Sequence, residues 1–388
     1  MTTPEDLACE KIDAGLYAAG WLIQNAGDTD LSASRGIAVR DFSLDRGYGQ
    51  ADYLLYLDGK AAGVLEVQKP GSELIGVDLK SEKYRRGLPL RLHLFTRPLP
   101  FLYQSTGEEI CFTNRFDPEP RCRRLFAFHR PEALLEWIQE GMIEAPPGDM
   151  VAEHSPEFGA RGRTFHERVR INMPPLIEED LRVVQIQAIK NLEQSLRACR
   201  PRALIQMASG SGKTFTAINF IYRLIKFSGV RRVLFLVNQV SVKDQTLRAF
   251  QHYVSPYNNA KFTGEYIVQC FSLSPLDPDI RVCISTPREM YAMLKGSALA
   301  EENEKKYEPI AYNPSIPIDS FDIIVADECH PSLYTHGVQV LEYFDAPLIS
   351  LMANPDKETV DFFHRNLVTA YGQEKDISDG LKVISDVR

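Results

Sequence analysis

The sequence predicts an α/β protein: an N-terminal α+β unit followed by a doubly wound domain built on a parallel sheet. Three observations carry that prediction. In the second half, five short apolar runs (ALIQM, VLFLV, VCIS, IIVAD and LISLM) alternate with helical stretches, the pattern of strands covered on both faces. In the first half, two apolar runs between Asp52 and Lys69 flank Asp58-Gly59, a strong hairpin turn signal. Between the halves, APPGDM, HSPEFGARGR and NMPP cluster Pro and Gly with little apolar periodicity, which marks a connection. The expected division is a domain over 1–145, a linker over 146–175 and a second domain over 176–388.

Taken in order, Thr3-Pro4-Glu5-Asp6 supplies a hydroxyl cap and a first-turn proline for an opening helix. Trp21 and Trp137 are expected in the core or in helix packing, and Glu10 on an exposed helix face, the alternative being a further metal-site acid. With 44% hydrophobic and 25% charged residues, the composition is that of a folded globular protein, which excludes disordered and collagen-like classes. No apolar run approaches the roughly 18 residues of a membrane helix, and an acidic start argues against a signal peptide. Seven cysteines without a CxxC pair predict neither a zinc site nor a disulfide framework, and with them a reducing, cytoplasmic setting. The net charge of −8 excludes general polyanion binding, leaving three basic runs (83–86, 121–130 and 161–170) as local candidates whose commoner role is a solvated face.

Two elements point to nucleotide chemistry. In ALIQMASGSGKT an apolar strand runs into Gly210-Ser211-Gly212-Lys213-Thr214, and a helix follows. Glycines let successive backbone N–H groups turn inward around phosphate oxygens at a helix N-terminus. Lys213 is expected at the β/γ-phosphates and the Thr214 hydroxyl on Mg²⁺; the general pattern has Gly where this chain has Met207. Downstream, FDIIVADECH ends a strand in Asp327-Glu328-Cys329-His330. A carboxylate there sits beside the phosphate loop, so Asp327 is a candidate Mg²⁺ ligand and Glu328 the group that polarises attacking water. Cys329 is expected to be packing.

DECH beside GSGKT resembles the first RecA-like domain of superfamily 2 helicases and DNA translocases. On that resemblance, Gln185 in LRVVQIQAI takes the adenine-contacting place, RRVLFLVNQVSVKDQTLRAF and ISTPREMYAML resemble backbone-touching motifs Ia and Ib, and His330 links the ATP site to the DNA side. The hairpin adds a second candidate site. Asp52 opens its first strand and Glu66 closes its second, followed by Gln68-Lys69; two acids and a lysine at that spacing resemble the Mg²⁺ site of PD-(D/E)xK nucleases, in which the acids hold the ion and the lysine positions the nucleophile. Both domains together resemble the R subunit of type I restriction-modification enzymes over nearly all 388 residues. The resemblance implies ATP- and Mg²⁺-dependent cleavage of double-stranded DNA coupled to translocation, in complex with methyltransferase and specificity subunits.

The departures from that pattern are specific. Lysine is expected at 68, where Gln68 stands; in a regular strand Lys69 points the other way, although Pro70 can bend it round. The downstream Q-x-x-x-Y element reads Lys80-Ser81-Glu82-Lys83-Tyr84, and Lys80 is a candidate for restoring the missing charge. Motif III reads Leu351-Met352-Ala353-Asn354-Pro355 without its two hydroxyls, and motif Ia has Asn238-Gln239 where an acid-arginine pair is common. A second RecA-like domain, source of the arginine finger, is expected to be absent, so this chain alone would bind ATP and DNA without translocating. Two other readings stay open: a non-catalytic DNA- or ATP-binding remnant, and another superfamily 2 helicase with a structural N-terminal domain.

Overall fold

The computed structural model describes residues 4–74, 81–142, 164–270, 279–296, 308–328 and 336–371. The chain forms two compact units: Met1–Glu144 with Tyr312–Asp319 and Glu342–Asp345, and Ala145–Ala311 with Ser320–Leu341 and Ala346–Arg388.

The first unit is one mixed sheet with helices on its faces. Its elements are α1 (Pro4–Ala18), β1 (Leu22–Asn25), β2 (Gly36–Ser43), β3 (Gln50–Leu57), β4 (Lys60–Val67), α2 (Ser81–Gly87), β5 (Phe101–Ser105), β6 (Ile110–Asn114), β7 (Arg123–Leu125) and α3 (Pro131–Met142). The strands lie in chain order. β2, β3 and β4 form an antiparallel meander around the Asp58-Gly59 turn, and β5 then returns parallel to β4. Gly63 permits that pairing, because a Cβ there would stand 2.7 Å from the Phe101 carbonyl oxygen. Alternation along β3 explains why it reads as an unbroken apolar run: Tyr53, Leu55 and Leu57 pack with Ile12, Leu16, Trp21, Leu134 and Ile138 of one core, while Leu54 and Tyr56 join Val64, Tyr84, Leu88 and Leu102 in the other. Trp21 is buried and donates its indole N–H to the His129 carbonyl at 2.9 Å, and Trp137 packs at the edge of the same core.

Two features of this unit depart from expectation. Cys111 on β6 and Cys122 form a disulfide; they are 11 residues apart, and the antiparallel return of β7 onto β6 brings them together. The basic run 121–130 is also committed internally. Arg123 donates twice to Asp345, at 2.7 and 2.9 Å, and Arg130 pairs with Asp319. His129 shares the Asp345 carboxylate at 2.8 Å and meets the Tyr103 hydroxyl at 2.8 Å through its other ring nitrogen. Burial alone would push the Asp345 carboxyl up, but Arg123 and His129 hold it well below the ordinary carboxylate range.

The second unit is a doubly wound α/β domain. Its elements are α4 (Phe165–Asn172), α5 (Val183–Arg197), β8 (Arg202–Met207), α6 (Lys213–Ser228), β9 (Val233–Val237), α7 (Val240–His252), α8 (Phe262–Glu265), β10 (Ile267–Cys270), β11 (Ile280–Ser285), α9 (Pro287–Leu294), β12 (Ile323–Asp327), α10 (His336–Tyr343), β13 (Leu348–Met352), α11 (Lys357–Phe362) and β14 (Leu367–Tyr371). The strands are all parallel, in the order β10-β11-β9-β12-β13-β8-β14. Of the stretch expected to connect the domains, 146–163 lies outside the described residues; its remainder includes α4, capped by Thr164 and packed through Val169 into this unit's core. No helix among the described residues is long and apolar enough to cross a membrane.

Candidate functional site

The carboxyl ends of β8 and β12 build the first site. Met207 is the last residue of β8 and fully buried, so the position where a glycine is usual belongs here to the strand and not to the loop. Ala208–Gly212 then turns into α6. Gly210 and Gly212 have φ of +88° and +91°, the left-handed region. At Gly212 a Cβ would also stand 2.4 Å from Gln185 Nε2. The Ser211 hydroxyl ties the loop back by donating to the Ala208 carbonyl at 2.6 Å.

Lys213 lies across this loop. Its ammonium donates to the carbonyls of Met207 and Ala208 at 3.3 and 3.4 Å and pairs with Glu328 Oε1 at 2.8 Å. The Thr214 hydroxyl donates to Asp327 Oδ2 at 3.3 Å, and Asp327 Oδ1 is buried without a hydrogen-bond partner among the described residues. Burial pushes the Asp327 carboxyl up to about 6, reinforced by the Glu328 charge and opposed by Lys213 and the Thr214 hydroxyl. Glu328, the first residue past the strand, has φ +56°, an uncommon conformation for a side-chain-bearing residue, fixed by its N–H on the Leu351 carbonyl at 2.9 Å.

Gln185 is buried against the loop. Its Oε1 accepts from the Arg182 N–H at 2.9 Å, and its Nε2 faces the Ser211 and Gly212 carbonyls at 3.4 and 3.5 Å. The amide oxygen thus caps the start of α5, and the amide nitrogen holds that helix to the loop. Arg182 adds a bond to the Gly210 carbonyl at 3.2 Å. His330 and Cys329 lie outside the described residues. Met352 ends β13 fully buried, and Asn354 is exposed just beyond it. Asn238 and Gln239 are exposed between β9 and α7, while Lys243 of α7 pairs with Glu289 of α9 at 2.8 Å, tying the two helices together.

The second site lies in the first unit, across β3, β4 and β5. Tyr53 pairs with Leu65; continuing that antiparallel register by one residue sets Asp52 opposite Glu66. On its other side Glu66 pairs with Gln104 of β5. The three side chains therefore form a row across one face, the face that α2 covers with Tyr84. Asp52 Oδ2 accepts from the Val67 N–H at 2.7 Å. Glu66 is 2% exposed and accepts the Tyr84 hydroxyl at 2.5 Å, with Lys83 Nζ at 3.7 Å from the same Oε1. Burial, with the Glu66 charge beside it, keeps the Tyr84 phenol protonated far above its ordinary range. Gln104 Oε1 is buried with no hydrogen-bond partner among the described residues. Gln68 and Lys69 fall past the end of β4, where Gln68 is half-buried and Lys69 exposed. Lys80 lies outside the described residues.

Sequence reasoning brought Asp52 and Glu66 together and missed Lys83 and Gln104. Lys83 had a signal, as the neighbour of the tyrosine in the Lys80–Tyr84 element; Gln104 had none. Among the described residues no group of three or more His, Cys, Asp or Glu side chains is arranged to hold a metal ion. Each site nonetheless offers oxygen donors suited to a hard cation: Asp327 Oδ1 with the Thr214 hydroxyl in one, and Asp52, Glu66 and Gln104 Oε1 in the other. Mg²⁺ ordinarily takes one or two protein carboxylates and fills its remaining positions with water and substrate phosphate, so both donor sets fit it.

Residues 178–357 match the family described as type III restriction enzyme, res subunit. The chain is 26% identical over 342 residues to the type I restriction enzyme EcoAI endonuclease subunit of Escherichia coli, covering 83% of this chain and 36% of that protein. It is 24% identical over 322 residues to the EcoKI endonuclease subunit of Escherichia coli strain K12, covering 74% of this chain and 24% of that one. The chain thus spans about a third of the first relative's length and about a quarter of the second's. A solved fragment described as an HsdR subunit of a type I restriction enzyme from Vibrio vulnificus YJ016 is 19% identical, with a TM-score of 0.37, over 97% of this chain and 61% of that one.

Proposed function

We propose that this chain is the nuclease-and-motor portion of a type I restriction enzyme R subunit: ATP and Mg²⁺ bind at the phosphate loop of the second unit, and DNA is hydrolysed at the Asp52–Glu66 site of the first. The observation that carries the motor assignment is the pairing of Thr214 with Asp327, 113 residues away, and of Lys213 with Glu328, which sets two acids against the loop's lysine and hydroxyl. Bound Mg²⁺ would neutralise charge on the β- and γ-phosphates. Lys213 exchanges Glu328 for phosphate oxygens, which frees the Glu328 carboxylate to orient a water. Thr214 and the ionised Asp327 supply ion ligands, and Gln185 keeps the loop in its phosphate-binding shape. Double-stranded DNA is the substrate that this reading assigns, with methyltransferase and specificity subunits as partners in the cytoplasm.

Glu328→Gln tests the motor assignment. It removes the water-orienting carboxylate while leaving the loop intact, so ATP turnover should fall by about 100-fold or more, with binding of a labelled ATP analogue retained. Turnover equal to that of the unaltered chain would contradict the role given to Glu328.

A further inference from the structure

A cation on the same strand as the second acid, two residues on, is what the resemblance to PD-(D/E)xK nucleases implies, and Gln68 stands there. A neutral amide cannot offset the negative charge that phosphodiester hydrolysis develops. The structure places a different cation at the acid pair. Lys83 Nζ lies 3.7 Å from Glu66 Oε1. It donates to the Gln50 carbonyl at 2.6 Å, and it stands 3.4 Å from the Tyr84 hydroxyl and 5.0 Å from that ring's centroid. Gln50 opens β3 two residues before Asp52, so this ammonium is anchored on the strand of the first acid while facing the acid of the second. The Glu66 side chain is 3% exposed and that of Lys83 31%, so their charges interact in partly desolvated surroundings and not as a surface pair in bulk water.

We infer that Lys83 is the cation of the Asp52–Glu66 site, presented from α2 in the place that Gln68 leaves empty on β4, with Gln104 Oε1 completing the oxygen row. This rests on the nuclease reading given above. In that hydrolysis a water oxygen bonds to phosphorus, the ester P–O bond breaks, the water's proton passes to solvent, and the departing alkoxide takes up a proton. An ammonium held beside Glu66 stabilises the charge gathering on the phosphoryl oxygens or on the attacking water. Tyr84 positions Glu66 through its hydroxyl.

The test uses the full 388-residue chain, with nicking of supercoiled plasmid in Mg²⁺ and calorimetric titration with Mn²⁺ in the absence of nucleotide. The Mn²⁺ component that Asp52→Asn removes reports this site. Lys83→Met should lower nicking by about 100-fold or more, and Gln68→Lys in the same chain should recover part of that loss by returning the charge to β4. Lys83→Met should also tighten the Asp52-dependent Mn²⁺ component by about tenfold, because a like charge has gone; a lysine whose charge lies away from the bound ion gives no such gain. Unchanged nicking and unchanged Mn²⁺ affinity in Lys83→Met, with both lost in Asp52→Asn, would overturn the assignment of Lys83. If Asp52→Asn alters neither, the nuclease reading falls first. Where the unaltered chain nicks too slowly to measure, the Mn²⁺ shift decides: tightening supports Lys83, and no change refutes it.

Discussion

At the residue scale, the role proposed for Asp327 would couple nucleotide binding to pH. Its carboxyl is raised to about 6, chiefly by burial. Below that pH a proton occupies the carboxyl to which the proposed function assigns Mg²⁺, so on that proposal the affinity for Mg·ATP should weaken progressively as pH falls from 7 to 5, and isothermal titration across that range checks it. The stability effect has the opposite sign from that of a salt-bridged acid. The folded-state pKa lies above the unfolded value, so the cost of ionising Asp327 is absent at pH below about 4, grows between about 4 and 6, and is present in full above 6. Asp327→Asn should therefore stabilise the nucleotide-free protein by about 3 kcal/mol at pH 8 and by much less at pH 4, as read by urea unfolding. Equal stabilisation at both pH values would mean that packing, not charge, is responsible.

At the element scale, legibility followed how local the defining interactions are. The five strands of the second sheet's interior (β8, β9, β11, β12 and β13) were visible because each is buried on both faces and reads as an apolar run. The two edge strands were not: IVQC and LVTAY mix polar and apolar residues, and Ile267 and Leu367 are exposed. α4 was hidden among prolines and glycines because a single buried residue, Val169, docks it. The same logic applies to the sites. Asp52 and Glu66 face each other across one hairpin, so a turn signal and alternation suffice to pair them. Lys83 and Gln104 reach the row from a crossover helix and from β5, and no local spacing encodes that. Asp345 is another non-local case: it joins the first unit through Arg123 and His129. Asp345→Ala should destabilise that unit by about 3–5 kcal/mol, because the Arg123 guanidinium loses its bidentate partner. Since the folded-state pKa of Asp345 is depressed, its contribution is present above the ordinary carboxylate range and is lost as pH falls well below it. Thermal melts at pH 7 check the magnitude; a loss under 1 kcal/mol would show that Arg123 finds another partner.

At the scale of the whole molecule, a net charge of −8 is compatible with work on DNA only if contacts are local, and several described arginines of the basic runs are paired within the protein. Arg121 and Arg124 pair with Glu119 and Glu109, Arg123 and Arg130 with Asp345 and Asp319, and Arg168 and Arg170 bond backbone carbonyls of Ser228 and Arg197. The chemistry proposed above lies instead in two acid-and-lysine clusters among the described residues, one in each unit, each built where strand ends and a helix place a cation against carboxylates. The phosphate-loop cluster is the one on which the functional account depends. Its most direct test is the affinity for Mg·ATP of the unaltered chain and of Lys213→Ala. Submillimolar binding that weakens by about 100-fold or more in the variant is the predicted result; equal affinity in the two proteins would contradict the assignment of the phosphate loop.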